Sequence, residues 1–338
     1  MKIAILAPIA WRTPPLKYGP WEQVCSNIAE GLVESGEDVT LFATGNSQTR
    51  AKLEFVSPTA WSEDPAIIPK VWECLHISHL MERSGEFDLI HNNFDFLPLT
   101  YSRLIKTPVL TTIHGFSSPG ILPVYKKYNV SNYYVSISDS DRSAELDYMA
   151  TVYNGINTKD FTFNEKAQDY LLYFGRIHPE KGTHESIQIA RQAKRKLIIS
   201  GLIQDEAYFQ NKIKPLVDDK DIVYVGNSGP AARDRLLGNA LALLHPISFE
   251  EPFGLSVAEA MMCGTPVIAF NRGSMPELVE EGKTGFLVKD INQAVEALHK
   301  VNTLDRGYIS RYARSKFSKE RMVDQYMEIY QKIISLKG

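Results

Sequence analysis

Residues 249–267 read FEEPFGLSVAEAMMCGTPV, with Glu251 and Glu259 eight positions apart among small and apolar residues. From Leu255 to Cys263 the stretch is polar only at Ser256 and Glu259, so a helix there is apolar nearly all round, the mark of a buried segment. A carboxylate is almost never fully buried without a partner. No Lys or Arg stands between Arg235 and Arg272, so neither glutamate has a cation three or four positions away on its own helix. The partner must come from elsewhere, and a ligand is the first candidate. The stretch follows the strand-like ALALLHP and the loop ISFEEPF, and a helix opening near Gly254 and Leu255 leaves its first amides free to face a phosphate. A Glu inside such a helix can accept hydrogen bonds from both hydroxyls of a ribose, as the acidic residue of dinucleotide-binding folds does. The plainer alternative is a Glu259 bonded to backbone or water in the core.

Three further places have the same character. YLLYFG runs into RIHPEKGTHES, which puts Arg176 and Lys181 five apart just before a helix with Thr183 as its expected N-cap. Two cations, a glycine and a helix N-terminus make an anion site, against the alternative of two solvated loop charges. KIAILAPI leads to AWRTPPLKYGPWEQV, where Gly19 precedes a helix opened by Pro20, a residue suited to the first helical position. Glycine there lets backbone approach a ligand. PVLTTIH ends in His114-Gly115, where a histidine can serve structure or chemistry equally well.

These residues need elements to position them. Short β-branched runs (KIAILAP, DVTLFAT, FDLIHNN, PVLTTIH, YYVSIS, ATVYNGI) alternate with helical patterns such as residues 21–35, which means βαβ units and a mostly parallel sheet. After a polar patch at residues 157–169 the pattern starts again with YLLYFGR, a helix over 183–194, KLIISGL, IVYVGN, ALALLHP and PVIAFN. The chain therefore reads as α/β, two doubly wound domains in series. In such sheets ligands sit at the carboxyl ends of the strands, where all the residues singled out above lie. Residues 318–336 carry a helical stripe of Met322, Val323, Tyr326, Met327, Tyr330, Ile333 and Ile334, which must pack on something.

The length of 338 residues fits two domains, and 44% hydrophobic with 23% charged residues is ordinary globular composition. A net charge of −3 offers no attraction to nucleic acid, and no window approaches the apolar length of a membrane span. The N-terminus MKIAILAPIA lacks the cationic leader and cleavage site of a signal peptide, so a cytoplasmic protein is expected. Cys25, Cys74 and Cys263 are odd in number and widely spaced, and are read as buried reduced thiols. Asp139-Ser140-Asp141 has the D-x-D spacing of a divalent-metal site, but it follows YYVSIS and is read as opening a helix, with Ser138 or Asp139 as N-cap. Arg311, Arg314, Lys316, Lys319 and Arg321 can touch anionic lipid; a solvated helical face is the commoner meaning, and peripheral membrane contact is the minority reading.

GRIHPEKG, then FEEPFGLSVAEAMMCGTPVIA, then GSMPELVEEGKTGFLV, resemble the retaining glycosyltransferases of family four, which have the GT-B fold. The likeness extends over nearly the whole chain, including NGI near Asn154 and the terminal helix. It implies two Rossmann-like domains facing across a cleft, residues 1–160 on the acceptor side and 161–315 binding a nucleotide sugar. It implies too that residues 316–338 form a helix packing back on the first domain. It also implies that Glu259 holds the donor's ribose and Glu251 contacts its sugar, while Arg176, Lys181, Gly254 and Leu255 hold the diphosphate and His114 lines the reaction centre. Gly19 matches the glycine-rich first loop, but Pro20 stands where the family usually has a second glycine, so one backbone donor to the phosphate is missing.

The resemblance implies transfer of a hexose, from a donor of the UDP-glucose or GDP-mannose type, to a hydroxyl of a glycan, lipid-linked or small-molecule acceptor, as in cell-envelope or polysaccharide biosynthesis. Configuration is retained, with no protein nucleophile, no metal and no cofactor. The alternatives are a sugar-nucleotide epimerase or a phosphorylase of the same fold, or a non-catalytic sugar-nucleotide-binding protein. Donor base, acceptor, linkage and oligomeric state are not legible, because first-domain loops such as residues 117–128 match nothing interpretable.

Overall fold

The computed structural model describes residues 1–115 and 119–336. Ser117 and Ser118, at the start of the loop expected to select the acceptor, lie outside the described residues. The chain divides into two compact units, residues 1–156 with 319–338 and residues 157–318. The boundaries differ by three or four residues from the expected 160/161 and 315/316, because residues 157–160 and 316–318 bond inside the second unit. Arg314 donates to the Thr158 and Phe161 carbonyls, and Lys316 to the Glu277 carbonyl.

The first unit is a parallel sheet of β1 (Lys2–Leu6), β2 (Asp38–Phe42), β3 (Lys52–Glu54), β4 (Leu89–Asn92), β5 (Val109–Ile113), β6 (Tyr133–Ser136) and β7 (Ala150–Thr151). Its order is β3-β2-β1-β4-β5-β6-β7. With helices α1 (Pro20–Glu34), α2 (Pro69–Glu82) and α3 (Leu122–Tyr128) supplied by the crossovers, the inner strands are buried on both faces. Hence they are near-continuous apolar runs: in KIAIL every residue after Lys2 is buried.

The second unit repeats the plan with β8 (Leu171–Phe174), β9 (Leu197–Ser200), β10 (Ile222–Tyr224), β11 (Ala242–His245), β12 (Val267–Phe270) and β13 (Gly285–Val288), in the order β10-β9-β8-β11-β12-β13. Its helices are α4 (Thr183–Gln192), α5 (Glu206–Tyr208), α6 (Pro230–Asn239), α7 (Leu255–Met262), α8 (Met275–Leu278), α9 (Ile291–Leu298) and α10 (Arg306–Phe317). The strand order reverses between β1 and β4 in one sheet and between β8 and β11 in the other, and each reversal opens a crevice at the carboxyl ends.

The last helix, α11 (Lys319–Ser335), belongs to the first unit. Its apolar stripe packs on α1 so closely that a side-chain carbon on Gly31 would lie 2.5 Å from Val323. Gly155 of the NGI motif has the same reason to be glycine, since a Cβ there would sit 2.8 Å from the Lys319 Cα. Tyr330 and Tyr326 reach the sheet through a buried polar chain, with the Tyr330 hydroxyl 2.7 Å from His91 Nδ1 and the Tyr326 hydroxyl 2.8 Å from Thr112 Oγ1.

Several local expectations are corrected. Asp139 to Asp141 open no helix; Ser138 Oγ accepts the Asp141 amide in a tight turn, so the serine hydroxyl satisfies a turn amide instead of a helical one. Thr183 is not an N-cap, because Gly182 takes that position in a left-handed conformation. Cys25 and Cys263 are buried free thiols, but Cys74 is exposed, since α2 turns His76, Ile77, Leu80 and Met81 inward and leaves Cys74 on the other side. The basic residues near the C-terminus are not one solvated face: besides Arg314 and Lys316, Lys319 is 4% exposed with its ammonium 2.6 Å from Glu34. No helix among the described residues is long and apolar enough to cross a membrane.

Candidate functional site

In the second unit the loops leaving β8 and β11 flank the crevice and are held together by backbone. Gly182 has φ of 74°, and a Cβ on it would lie 2.0 Å from the Pro246 carbonyl oxygen, so only glycine permits this approach. Alongside, the Ser248 amide donates to the Glu180 carbonyl at 2.9 Å. The closeness of the two loops brings Lys181 to Glu251, with ammonium and carboxylate 2.6 Å apart and both side chains nearly buried, at 14% and 11% exposure. His245, the last residue of β11, lies 3.5 Å from the same carboxylate oxygen, and the Lys181 ammonium sits 4.4 Å over the Phe249 ring. Burial pushes the Glu251 carboxyl up, but the Lys181 charge and the His245 contact outweigh it and hold the group at about 2. Glu251 is therefore an ionised acceptor at neutral pH.

A third loop fixes the backbone of this segment. After β12, Ser274 donates its amide to the Glu251 carbonyl at 2.9 Å and its hydroxyl to the Phe253 carbonyl at 2.7 Å. Gly273 lies so close that a Cβ would be 2.3 Å from the Glu251 nitrogen. The chain then turns at Gly254, whose φ of 90° is again a glycine conformation, and enters α7 at Leu255. Gly254 has no side chain with which to cap α7, so the first amides of the helix have no capping oxygen from it.

Within α7, Glu259 is 5% exposed between Ala258 and Ala260, both fully buried. Its partner is Arg233 of α6, 3.3 Å away, whose guanidinium also stacks 5.4 Å from the Phe161 ring. Burial raises the Glu259 carboxyl above its ordinary range, and Arg233 only partly opposes this. The Arg233 Nε is buried without a partner among the described residues. Neither glutamate finds a cation on its own helix, as the spacing implied; the partner from elsewhere is in each case a cation of a distant element, where a ligand was the first candidate. Arg176 turns to Gln204, to which it donates a hydrogen bond.

His245 and Arg233 went unnamed in the sequence. His245 carries a legible signal, a polar residue ending the apolar strand ALALLHP at its carboxyl end. Arg233 carries none, since only the packing of α6 on α7 selects it over Arg235.

In the first unit the crevice is lined from β1, β4 and β5. Gly19, with φ of 153°, is the N-cap of α1 and Pro20 its first residue. A Cβ on Gly19 would lie 2.7 Å from Pro15 and 3.1 Å from Trp11, so the folding of its own loop explains the glycine without a ligand. Glu22 is 2% exposed and accepts the Trp11 amide at 3.0 Å. Burial pushes its carboxyl up to about 7. His114 follows β5 directly, its ring stacked on Trp21 at 5.4 Å and its Nε2 2.9 Å from Asn93 Oδ1. Burial lowers its pKa to about 3, which leaves the ring neutral.

Residues 156–318 match the family described as glycosyl transferases group 1. This segment belongs to the group 1 glycosyltransferases. Along its whole length the chain is 22% identical to an uncharacterised glycosyltransferase of Methanocaldococcus jannaschii, with 100% of both proteins covered. It is 30% identical to the trehalose synthase of Pyrococcus horikoshii over 50% of this chain and 44% of that protein, so it spans less than half the length of that relative. Among solved structures, Anabaena HepE in complex with UDP and glucose superposes with a TM-score of 0.74 at 21% identity, covering 98% of this chain and 100% of that one. The likeness shows the fold: the chain has the GT-B fold, with two Rossmann-like domains.

Proposed function

We propose that the protein is a retaining, metal-independent hexosyltransferase that uses a nucleotide sugar, with UDP-glucose and GDP-mannose as leading donors and a hydroxyl as acceptor. The observation that carries this reading is the Lys181–Glu251–His245 cluster at the strand-order reversal of a glycosyltransferase domain, on the loop that leads into α7 and its buried Glu259. The complex of HepE with UDP and glucose supports a nucleotide-sugar donor.

Cleaving a sugar–phosphate bond moves negative charge onto the departing nucleoside diphosphate, and preorganised positive charge lowers that barrier. Lys181, Arg176 and the first amides of α7 at Gly254 and Leu255 supply such charge from the protein. Glu251, ionised, takes no part as an acid; it accepts hydrogen bonds from the donor sugar's hydroxyls while keeping Lys181 in place. Glu259 accepts from the ribose hydroxyls and shares its charge with Arg233. An oxygen of the departing phosphate takes the acceptor's proton, which gives retention without a protein nucleophile. Gly19 is assigned no donor contact beyond its backbone.

A thermal-shift panel of nucleotide sugars tests the reading: a ligand at about 100 times its Kd stabilises the native state by roughly 2.7 kcal/mol. A flat panel at millimolar ligand sinks the donor site. Transfer that is abolished by EDTA and restored by a divalent ion sinks metal independence.

A further inference from the structure

His114 shows more than a histidine at the end of a strand. Its Nε2 lies 2.9 Å from Asn93 Oδ1, and the amide nitrogen of Asn93 faces the His91 carbonyl oxygen at 3.5 Å. Turning that amide over would set Oδ1 against the His91 carbonyl, acceptor against acceptor, so the orientation is fixed by its second neighbour. A carboxamide oxygen only accepts; the proton between the two residues is therefore on His114 Nε2. A neutral imidazole carries one proton, so Nδ1 is a bare lone pair. That Nδ1 is buried and has no hydrogen-bond partner among the described residues. Trp21, stacked on the ring at an interplanar angle of 26°, covers one face and holds the ring's plane. Asn93 itself is fully buried just past the end of β4, and its backbone amide is tied to the Leu6 carbonyl at 2.9 Å.

We infer that Asn93 is a positioning residue which locks His114 in its Nε2-protonated form, so that Nδ1 is presented as an acceptor for a hydroxyl group of a sugar. The inference rests on the transferase reading only for the identity of that hydroxyl. Its chemistry is definite: His114 in this form cannot donate a proton from Nδ1, and a ligand whose opposing atom is itself an acceptor is refused. Among the described residues, the ionisable side chain that reaches His114 is His91 of β4, itself kept neutral by burial and bonded to Tyr330 and Thr112. Glu22, next to Trp21 on α1, turns its carboxylate to the Trp11 amide.

The full-length protein labelled with ¹⁵N-histidine, read by long-range proton–nitrogen correlation, reports the tautomer without any ligand. Comparison with His114→Gln picks His114 out of the eight histidines. Expected is a protonated Nε2 and an unprotonated Nδ1, unchanged between about pH 5 and 9, as burial of the ring requires. Asn93→Asp preserves shape but sets a carboxylate against the Nε2 proton, so the imidazolium appears as pH falls to about 6. With UDP-glucose as the probe, UDP release by Asn93→Asp then falls about tenfold more than in the parent between about pH 8 and 6, because Nδ1 has become a donor. Asn93→Ala, if folded, shows a mixture of the two tautomers. An Nδ1-protonated ring in the parent, or an Asn93→Asp protein whose His114 signals do not change, overturns the inference. A correct tautomer in a protein that neither binds nor cleaves any nucleotide sugar sinks the transferase reading and leaves this one standing.

Discussion

Glu251 and Glu259 look alike in the sequence and stand in opposite electrostatic positions. Glu251 titrates near 2 in place of the usual 4.5, so its contribution to stability is complete above pH 4.5 and is lost as pH falls towards 2. Glu251→Gln therefore flattens the acid limb of the stability profile and costs about 3 kcal/mol at neutral pH, by leaving Lys181 buried without its counter-charge. On folded protein the same change lowers kcat and leaves nucleoside-diphosphate affinity nearly intact. Glu259→Gln has the converse signature, a loss of roughly 1–3 kcal/mol in nucleotide binding, because its ribose bonds exist before and during the reaction. Titrations and steady-state rates on both variants decide it; a nucleotide-binding loss at Glu251 with none at Glu259 reverses the assignments. Glu22 provides a control in the other unit. Its carboxyl titrates near 7, so folding favours its protonated form and stability declines as pH rises from 4.5 to about 7. Glu22→Gln should raise stability at about pH 8 by up to ~3 kcal/mol and change nothing at about pH 4, as read by urea unfolding at both values.

At the scale of elements, the site of the second unit depends on two loops that touch at one glycine. Gly182 both caps α4 and lies against Pro246, so Gly182→Ala meets a strained φ and a backbone collision together. The expected cost is more than about 2 kcal/mol, and the Lys181–Glu251 pair separates with the loops. Nucleotide affinity should fall with it; a Gly182→Ala protein that binds nucleotide normally would mean that the pair does not position the donor. The glycine was visible in EKGTHES, but its reason was not. A helix start was expected at Thr183 because hydroxyl side chains cap helices, whereas the close approach of a second strand's loop imposed a residue without a side chain.

For the molecule as a whole, the most consequential element is the last. α11 ends the chain yet completes the first unit, through Val323 on Gly31, Lys319 on Glu34 and the tyrosine hydroxyls on His91 and Thr112. Truncation after Ser318 should therefore destabilise the first unit selectively, exposing α1 and stranding the buried His91. Hydrogen exchange is expected to show protection lost across β1, β4 and β5 and kept across β8, β11 and β12. Equal loss in both units would contradict the assignment of α11 to the first.

The sequence by itself determined the α/β class, the repeated doubly wound plan and the burial of α7, because these follow from local periodicity: parallel strands covered on both faces must be apolar throughout, and a helix apolar all round has nowhere to go but inside. It also placed Arg176, Lys181, Glu251 and His114 past the carboxyl ends of strands, and Glu259 on the buried helix that follows. Tertiary structure alone decided their partners. Lys181 pairs with Glu251 across seventy residues of chain, and Arg233 reaches Glu259 from a neighbouring helix. Asn93 fixes the proton of His114 from a strand away. Such pairings carry no periodicity, because charge and hydrogen-bond partners are selected by distance in space, and that distance is set only when the sheets are assembled and the crossovers packed.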